Sequence, residues 1–122
     1  DKNIFLYFEE IDLCKRLSEN NYKIYVNSKA KIFHKAAKSS NIGFEFEKCR
    51  HWHWMWSSVY YKRKHFNNLK TLINFIPLVF TNLLKSIFFV IIFQPRKIVI
   101  NFMRFSGALN ALLGKNSWYR PN

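Results

Sequence analysis

The sequence predicts an α/β chain with its strands near the N-terminus and a helical remainder, and three observations carry that prediction. "NIFLYF" (residues 3–8) is a short apolar run of strand composition, and "YKIYVN" (22–27) alternates Tyr22, Ile24 and Val26 against Lys23 and Tyr25, the period of two expected of a strand. Between them, "EIDLCKRLSEN" (10–20) has helical spacing. Further on, residues 50–66 hold neither Gly nor Pro and place Trp52, Met55, Trp56, Val59 and Tyr60 at the spacing of a helix.

Each element has its own local reason. In helix 10–20 Leu13, Cys14 and Leu17 form a narrow apolar stripe, while Lys15, Arg16 and Glu19 point outward. Acids in its first turn and bases later complement the helix dipole. Asn20 and Asn21 supply the stop, because Asn tolerates the left-handed conformation that a helix end requires. "AKIFH" (30–34) is expected as a second short strand ending at His34, and residues 35–43 as a loop. Over residues 51–56 strand alternation fits as well as helical spacing, and the length of the Gly- and Pro-free run decides for a helix. Residues 72–93 contain 16 apolar residues in 22, enough to span a bilayer. Lys85, Asn74, Asn82 and Pro77 argue against a span; a central Lys alone costs about 2.5–3.5 kcal/mol on insertion scales. A helix lying in the interface or packed in the protein is the preferred reading, with a span as the alternative. Pro95 suits the first turn of a last helix, in which Ile98, Phe102, Phe105, Leu109 and Leu112 share a face and Gly114 forms the C-cap.

At 122 residues, 49% hydrophobic and 19% aromatic, the chain is one small domain or part of a larger one, and disorder is excluded. It opens on a strand-like run with no initiator Met or signal-peptide pattern, so the expectation is the C-terminal part of something longer. The net charge of +13 is unevenly placed. Residues 1–47 carry eight bases and all seven acids, whereas residues 48–122 carry twelve bases and no acid. The second region is therefore expected to meet an anionic partner. A cytoplasmic lipid surface contributes roughly 1 kcal/mol per nearby base, and nucleic acid is the other candidate. Cys14 and Cys49 make no disulfide framework; Cys14 reads as a buried free thiol, which fits a reducing compartment.

Glu9, Glu10 and Asp12 lie within four positions at the predicted strand-to-helix junction. A carboxylate there would sit at the lip of a sheet, where open α/β folds place ligands, ionised by the helix N-terminus and free to accept a proton. The structural alternative is that the three acids only cap and charge-balance the helix.

The run "FLYFEEIDLCKRL", then "NYKIYV" and "AKIFHKAAKSS", resembles the C-terminal part of the catalytic domain of family 2 glycosyltransferases, closest to the rhamnosyltransferase-like bacterial enzymes that build cell-surface polysaccharide. The resemblance covers roughly residues 2–40, and "WHWMWSSVYYKRKHF" adds weaker support. It implies a GT-A, Rossmann-like α/β fold for residues 1–47, followed by a basic, aromatic-rich helical region over 48–122. Glu10 matches the family's catalytic Asp, the base that deprotonates the acceptor hydroxyl in these inverting enzymes. Glu9 matches the acid before it, and Asp12 the acid of Asp-Leu-Cys. Glu replaces Asp at position 10, so the choice of base between Glu9 and Glu10 stays open. Asn21 replaces a Gly, and Ala36 and Ala37 stand where glycines are usual.

The resemblance also implies that His34 completes a divalent-metal site (Mg or Mn) neutralising the nucleotide diphosphate, a metal held mainly by an N-terminal part that is missing here. The alternative for His34 is a hydrogen-bonded strand-end histidine. His51 and His53 are two apart and face away from each other on a helix, so they are not expected to chelate one ion. Trp52, Trp54 and Trp56 read as core or membrane-interface residues rather than base-stacking platforms. "KRKH" (62–65) is either a solvated helix end or a headgroup contact. The expected function is part of an inverting glycosyltransferase, moving a sugar from a nucleotide-sugar donor to a saccharide or lipid-linked acceptor. It would be cytoplasmic and peripheral on the inner face of the bacterial plasma membrane, with no nucleic-acid partner and no turnover by these residues alone. The alternative is a non-enzymatic basic module that binds anionic membrane or nucleic acid.

Overall fold

A computed structural model describes residues 1–33 and 43–120. It contains four helices: α1 (Glu9–Glu19), α2 (Phe44–His65), α3 (Asn68–Ile91) and α4 (Pro95–Leu112). Among the described residues there is no strand. This corrects the α/β expectation and the Rossmann-like GT-A arrangement that the resemblance implied.

The physical reason lies in where strand hydrogen bonds come from. A strand's N–H and C=O groups are satisfied by a neighbouring strand, not by its own residues. Residues 22–33 keep a strand's composition but have no ladder partner among the described residues, and Tyr25, Val26, Ile32 and Phe33 are 82–96% exposed. In the run 3–8 the backbone bends instead of extending: Tyr7 and Phe8 adopt φ of 66° and 70°. Its carbonyls and rings are taken up by α2 rather than by a sheet.

The helices follow from local signals. Asn20 ends α1, and Asn21 takes the left-handed φ of 62°. Within α2, Glu45 and Glu47 open the helix and Lys62 to His65 close it, matching its dipole. The Asn67 side chain caps α3 by accepting from the Leu69 N–H at 2.7 Å. Pro95 stands in the first turn of α4, and Gly114, at φ 74°, turns the chain away from its end.

α2 is the hub, buried on more than one face. Trp52, Met55, Trp56 and Val59 pack with Ala108 and Ala111 of α4 and with Phe75 and Val79 of α3. The opposite side, with Ser57 and Tyr61, receives residues 1–8. α4 lies against both α2 and α3, which touch each other only slightly. Gly107 lets α4 approach so closely that a Cβ there would run into the Trp52 backbone carbonyl. Beyond α4 the tail folds back over α2, where the Trp56 indole N–H donates to the Lys115 carbonyl at 3.0 Å. His53 Nε2 donates to the Tyr119 carbonyl at 2.7 Å.

Candidate functional site

The carboxylates that the sequence singled out sit at a bend held by aromatic rings. Tyr7 and Phe8 are consecutive non-glycine residues in the left-handed region, a conformation that costs each about 1 kcal/mol or more and persists only where the surroundings impose it. Here they do. Tyr7 meets the Trp54 ring edge-on at 5.2 Å between centroids, and its hydroxyl accepts from Arg50 Nε at 2.6 Å. Phe8 lies 5.6 Å from both Trp54 and Tyr61. Ser57 Oγ donates to the Leu6 carbonyl at 2.8 Å. Residues spread along one rigid helix thus fix the backbone just ahead of the acids.

Glu9 and Glu10 are the first two residues of α1, and both are exposed. They stand at a helix start after a left-handed bend, not at the exit of a strand, so the sheet lip expected from the sequence is corrected. Beside the bend a cleft of about 250 Å³ opens between Tyr7, Arg50, His51, Trp54 and Arg104. It combines an exposed indole with two guanidinium groups. Such walls can hold a polar ring by its flat apolar face while the arginines bind its oxygens.

Asp12 is placed differently. It is fully buried, and its oxygens accept from Arg16 Nε at 2.8 Å, Lys64 Nζ at 2.7 Å and His65 Nε2 at 2.8 Å. Burial pushes the Asp12 carboxyl up, but the hydrogen bonds from Lys64, His65 and Arg16 outweigh it and hold the group well below the usual carboxylate range. An anion so strongly held is a poor proton acceptor, and it has no open face for a substrate. Its physical role is to clamp α1 onto the last turn of α2.

The stripe of Leu13 and Cys14 does not face inward. Leu13 is 47% exposed, and Cys14 is an exposed thiol, which corrects its assignment as buried. The inward position on α1 belongs to Asp12. Cys49, by contrast, is buried, and burial pushes its thiol up.

His34 lies outside the described residues. His51 and His53 are on α2, as expected, and serve separate surroundings: His51 Nδ1 accepts from Arg104 Nε at 3.3 Å, and His53 is fully buried. Burial, with Arg120 nearby, pulls His53 below its ordinary value despite the hydrogen bond to Tyr119. Its Nδ1 has no partner among the described residues. Among those residues no three His, Cys, Asp or Glu side chains are grouped to hold a metal ion.

The "KRKH" run is engaged throughout rather than merely solvated. Lys62 lies 4.5 Å from the Phe66 ring centroid, and Arg63 donates to the Ala111 and Leu112 carbonyls at the end of α4. Lys64 and His65 hold Asp12. The Arg50–Tyr7 and Trp54–Phe8 supports were not identified from the sequence. A usable signal was the placement of every acid in residues 1–47 opposite an acid-free remainder, which favours contact between the two regions. No family model, curated protein or solved structure matches this chain.

Proposed function

We propose that this chain takes part in glycosyl transfer, with the Glu9–Glu10 pair presenting the base. The observation that carries the proposal is the strained Tyr7–Phe8 bend, which leads directly into two exposed carboxylates at the head of α1 and whose Tyr7 lines the cleft walled by Trp54, Arg50 and Arg104. Backbone strain imposed by packing is characteristic of working sites. The resemblance of "FLYFEEIDLCKRL" to family 2 glycosyltransferases supports the same reading.

In the proposed step, Glu10 accepts the proton of an acceptor hydroxyl lying against Trp54. The hydroxyl oxygen forms its bond to the anomeric carbon of the donor sugar. The bond from that carbon to the diphosphate breaks, and its electron pair leaves with the nucleoside diphosphate. Donor and divalent metal are assigned to residues beyond this set, and the acceptor is a saccharide or a lipid-linked one. Asp12 acts as a positioning residue, holding α1 while the base works.

Glu10→Gln in the complete protein tests this. Turnover should fall by about 10²–10⁴-fold, the worth of a positioned base, while donor binding persists. A collapse in Glu9→Gln instead moves the role by one residue. Wild-type turnover in both variants overturns the proposal.

A further inference from the structure

α3 has three faces, and they are arranged unusually for a packed helix. Thr71, Phe75, Val79, Asn82 and Ser86, at spacings of three and four, are buried against the bundle. Three of those five are polar. Asn82 Nδ2 donates to the Leu78 carbonyl at 2.6 Å, and Ser86 Oγ donates to the Ile98 carbonyl at 3.0 Å.

The apolar residues are outside. Ile73, Ile76, Phe80, Leu84, Ile87 and Ile91 recur at spacings of three and four and are 42–70% exposed. At 100° per residue they form one continuous face, about a third of a turn from the buried stripe. A second exposed stripe, Lys70, Asn74, Thr81 and Lys85, runs about 22 Å along the remaining third at 1.5 Å per residue, with Leu78 at its edge and Phe88 beyond Lys85 also exposed on that side. From Lys70 to Lys85, α3 therefore presents a bundle face, an apolar face and a largely polar one. It is the one helix among the described residues long and apolar enough to cross a membrane, yet the Lys70–Lys85 stripe would then face hydrocarbon, at about 2.5–3.5 kcal/mol for a lysine near the centre.

The ends of the helix bear on the occupant. Phe66 at one end is 47% exposed, and Phe93 at the other is 89% exposed. Lys97 follows at the start of α4, beside an Arg96 that pairs with Glu47 at 2.7 Å, and residues 48–122 contain no acid. A second copy of this surface would bring like charges together, whereas an anionic lipid surface is complementary.

We infer that α3 is an in-plane membrane anchor, whose Ile73–Ile91 face enters the acyl boundary of an anionic bilayer while the Lys70–Lys85 stripe stays at headgroup level. This stands independently of the glycosyl-transfer proposal.

The full chain should bind vesicles of phosphatidylcholine with about one-third phosphatidylglycerol at least tenfold more tightly than phosphatidylcholine alone. Phe80→Glu with Leu84→Glu should abolish binding while helix content is retained. Lys70→Gln with Lys85→Gln should weaken binding to the anionic vesicles by about tenfold or more, the worth of two bases at a charged surface. Depth is read separately, so that the inference does not depend on those variants folding. In a Cys14→Ser background, Ile73→Cys, Phe80→Cys and Ile87→Cys each carry an environment-sensitive fluorophore, quenched by brominated lipids. Equal, shallow depths support the in-plane anchor. A depth that peaks at the bilayer centre overturns it in favour of a span. Absence of vesicle binding, with self-association that Phe80→Glu removes, overturns it in favour of a second copy, and equal binding to both vesicle types overturns the anionic preference.

Discussion

The Asp12 carboxylate and the His65 imidazole meet at 2.8 Å inside the protein, although they are 53 positions apart. Lys64, one residue earlier, reaches the same carboxylate oxygen at 2.7 Å. The last turn of α2 therefore ends on an acid of α1. This joins the acid-bearing N-terminal region to the acid-free remainder at a point shielded from water.

Asp12→Asn should destabilise the fold. Removing one partner of a buried ion pair leaves the others uncompensated, at about 3–5 kcal/mol. The lower end is expected here, because Arg16 and Lys64 retain 43% and 28% of their side-chain exposure. The sign of the pH effect follows from the depressed carboxyl. The folded form keeps Asp12 ionised where the unfolded chain would protonate it, so its contribution is full above about pH 4 and is lost as the pH falls below that. Urea unfolding of wild type and Asp12→Asn across this range checks it: the two stabilities should converge in acid.

His53 sets a second acid limb at higher pH. Its pKa is lowered in the fold, chiefly by burial, so the unfolded chain binds the proton first. Its contribution is present above about pH 6.5 and declines as the pH falls below that value. In His53→Gln the slope of stability against pH just below that point should be shallower by up to one proton. An unchanged slope would assign the limb to other groups.

Gly107→Ala should be costly for a single methyl group. The new Cβ meets the Trp52 backbone carbonyl rather than a flexible side chain, so α4 must move off α2. Overpacking of this kind costs typically about 1–3 kcal/mol. A lowered melting temperature with helix content preserved is the expected result. Ala108→Gly, which adds no atoms at the neighbouring position, separates crowding from helix propensity, being limited to about 1 kcal/mol plus the lost methyl.

What could be read from the sequence was whatever a residue's near neighbours decide. The Gly- and Pro-free run gave α2, Asn20 and Asn21 gave the end of α1, and Pro95 and Gly114 bracketed α4. Residues 3–8 and 22–33 failed the same treatment because alternation describes a side-chain pattern, whereas a strand also requires a partner. Apolarity alone points Cys14 and Leu13 inward, but the side of α1 that meets α2 faces Lys64 and His65, and a carboxylate fits there better than a thiol. That outcome depends on residues about fifty positions away. The Glu9–Glu10 pair was legible as a cluster. Its strained support was not, since a left-handed Tyr–Phe pair is imposed by Trp54, Tyr61 and Arg50 rather than encoded in its own composition.

The unladdered segment 22–33 bears on how the purified chain will behave in storage. Tyr22, Ile24, Val26 and Ile32 are already outside the bundle with a strand's alternation, and the charges of Lys23, Lys29 and Lys31 are what keeps identical segments from stacking across molecules. Self-templating of such a segment needs no prior unfolding. Fibril lag times should therefore be indifferent to how firmly Trp52 and Gly107 hold the bundle, and sensitive to a charge or a proline placed between Ile24 and Val26.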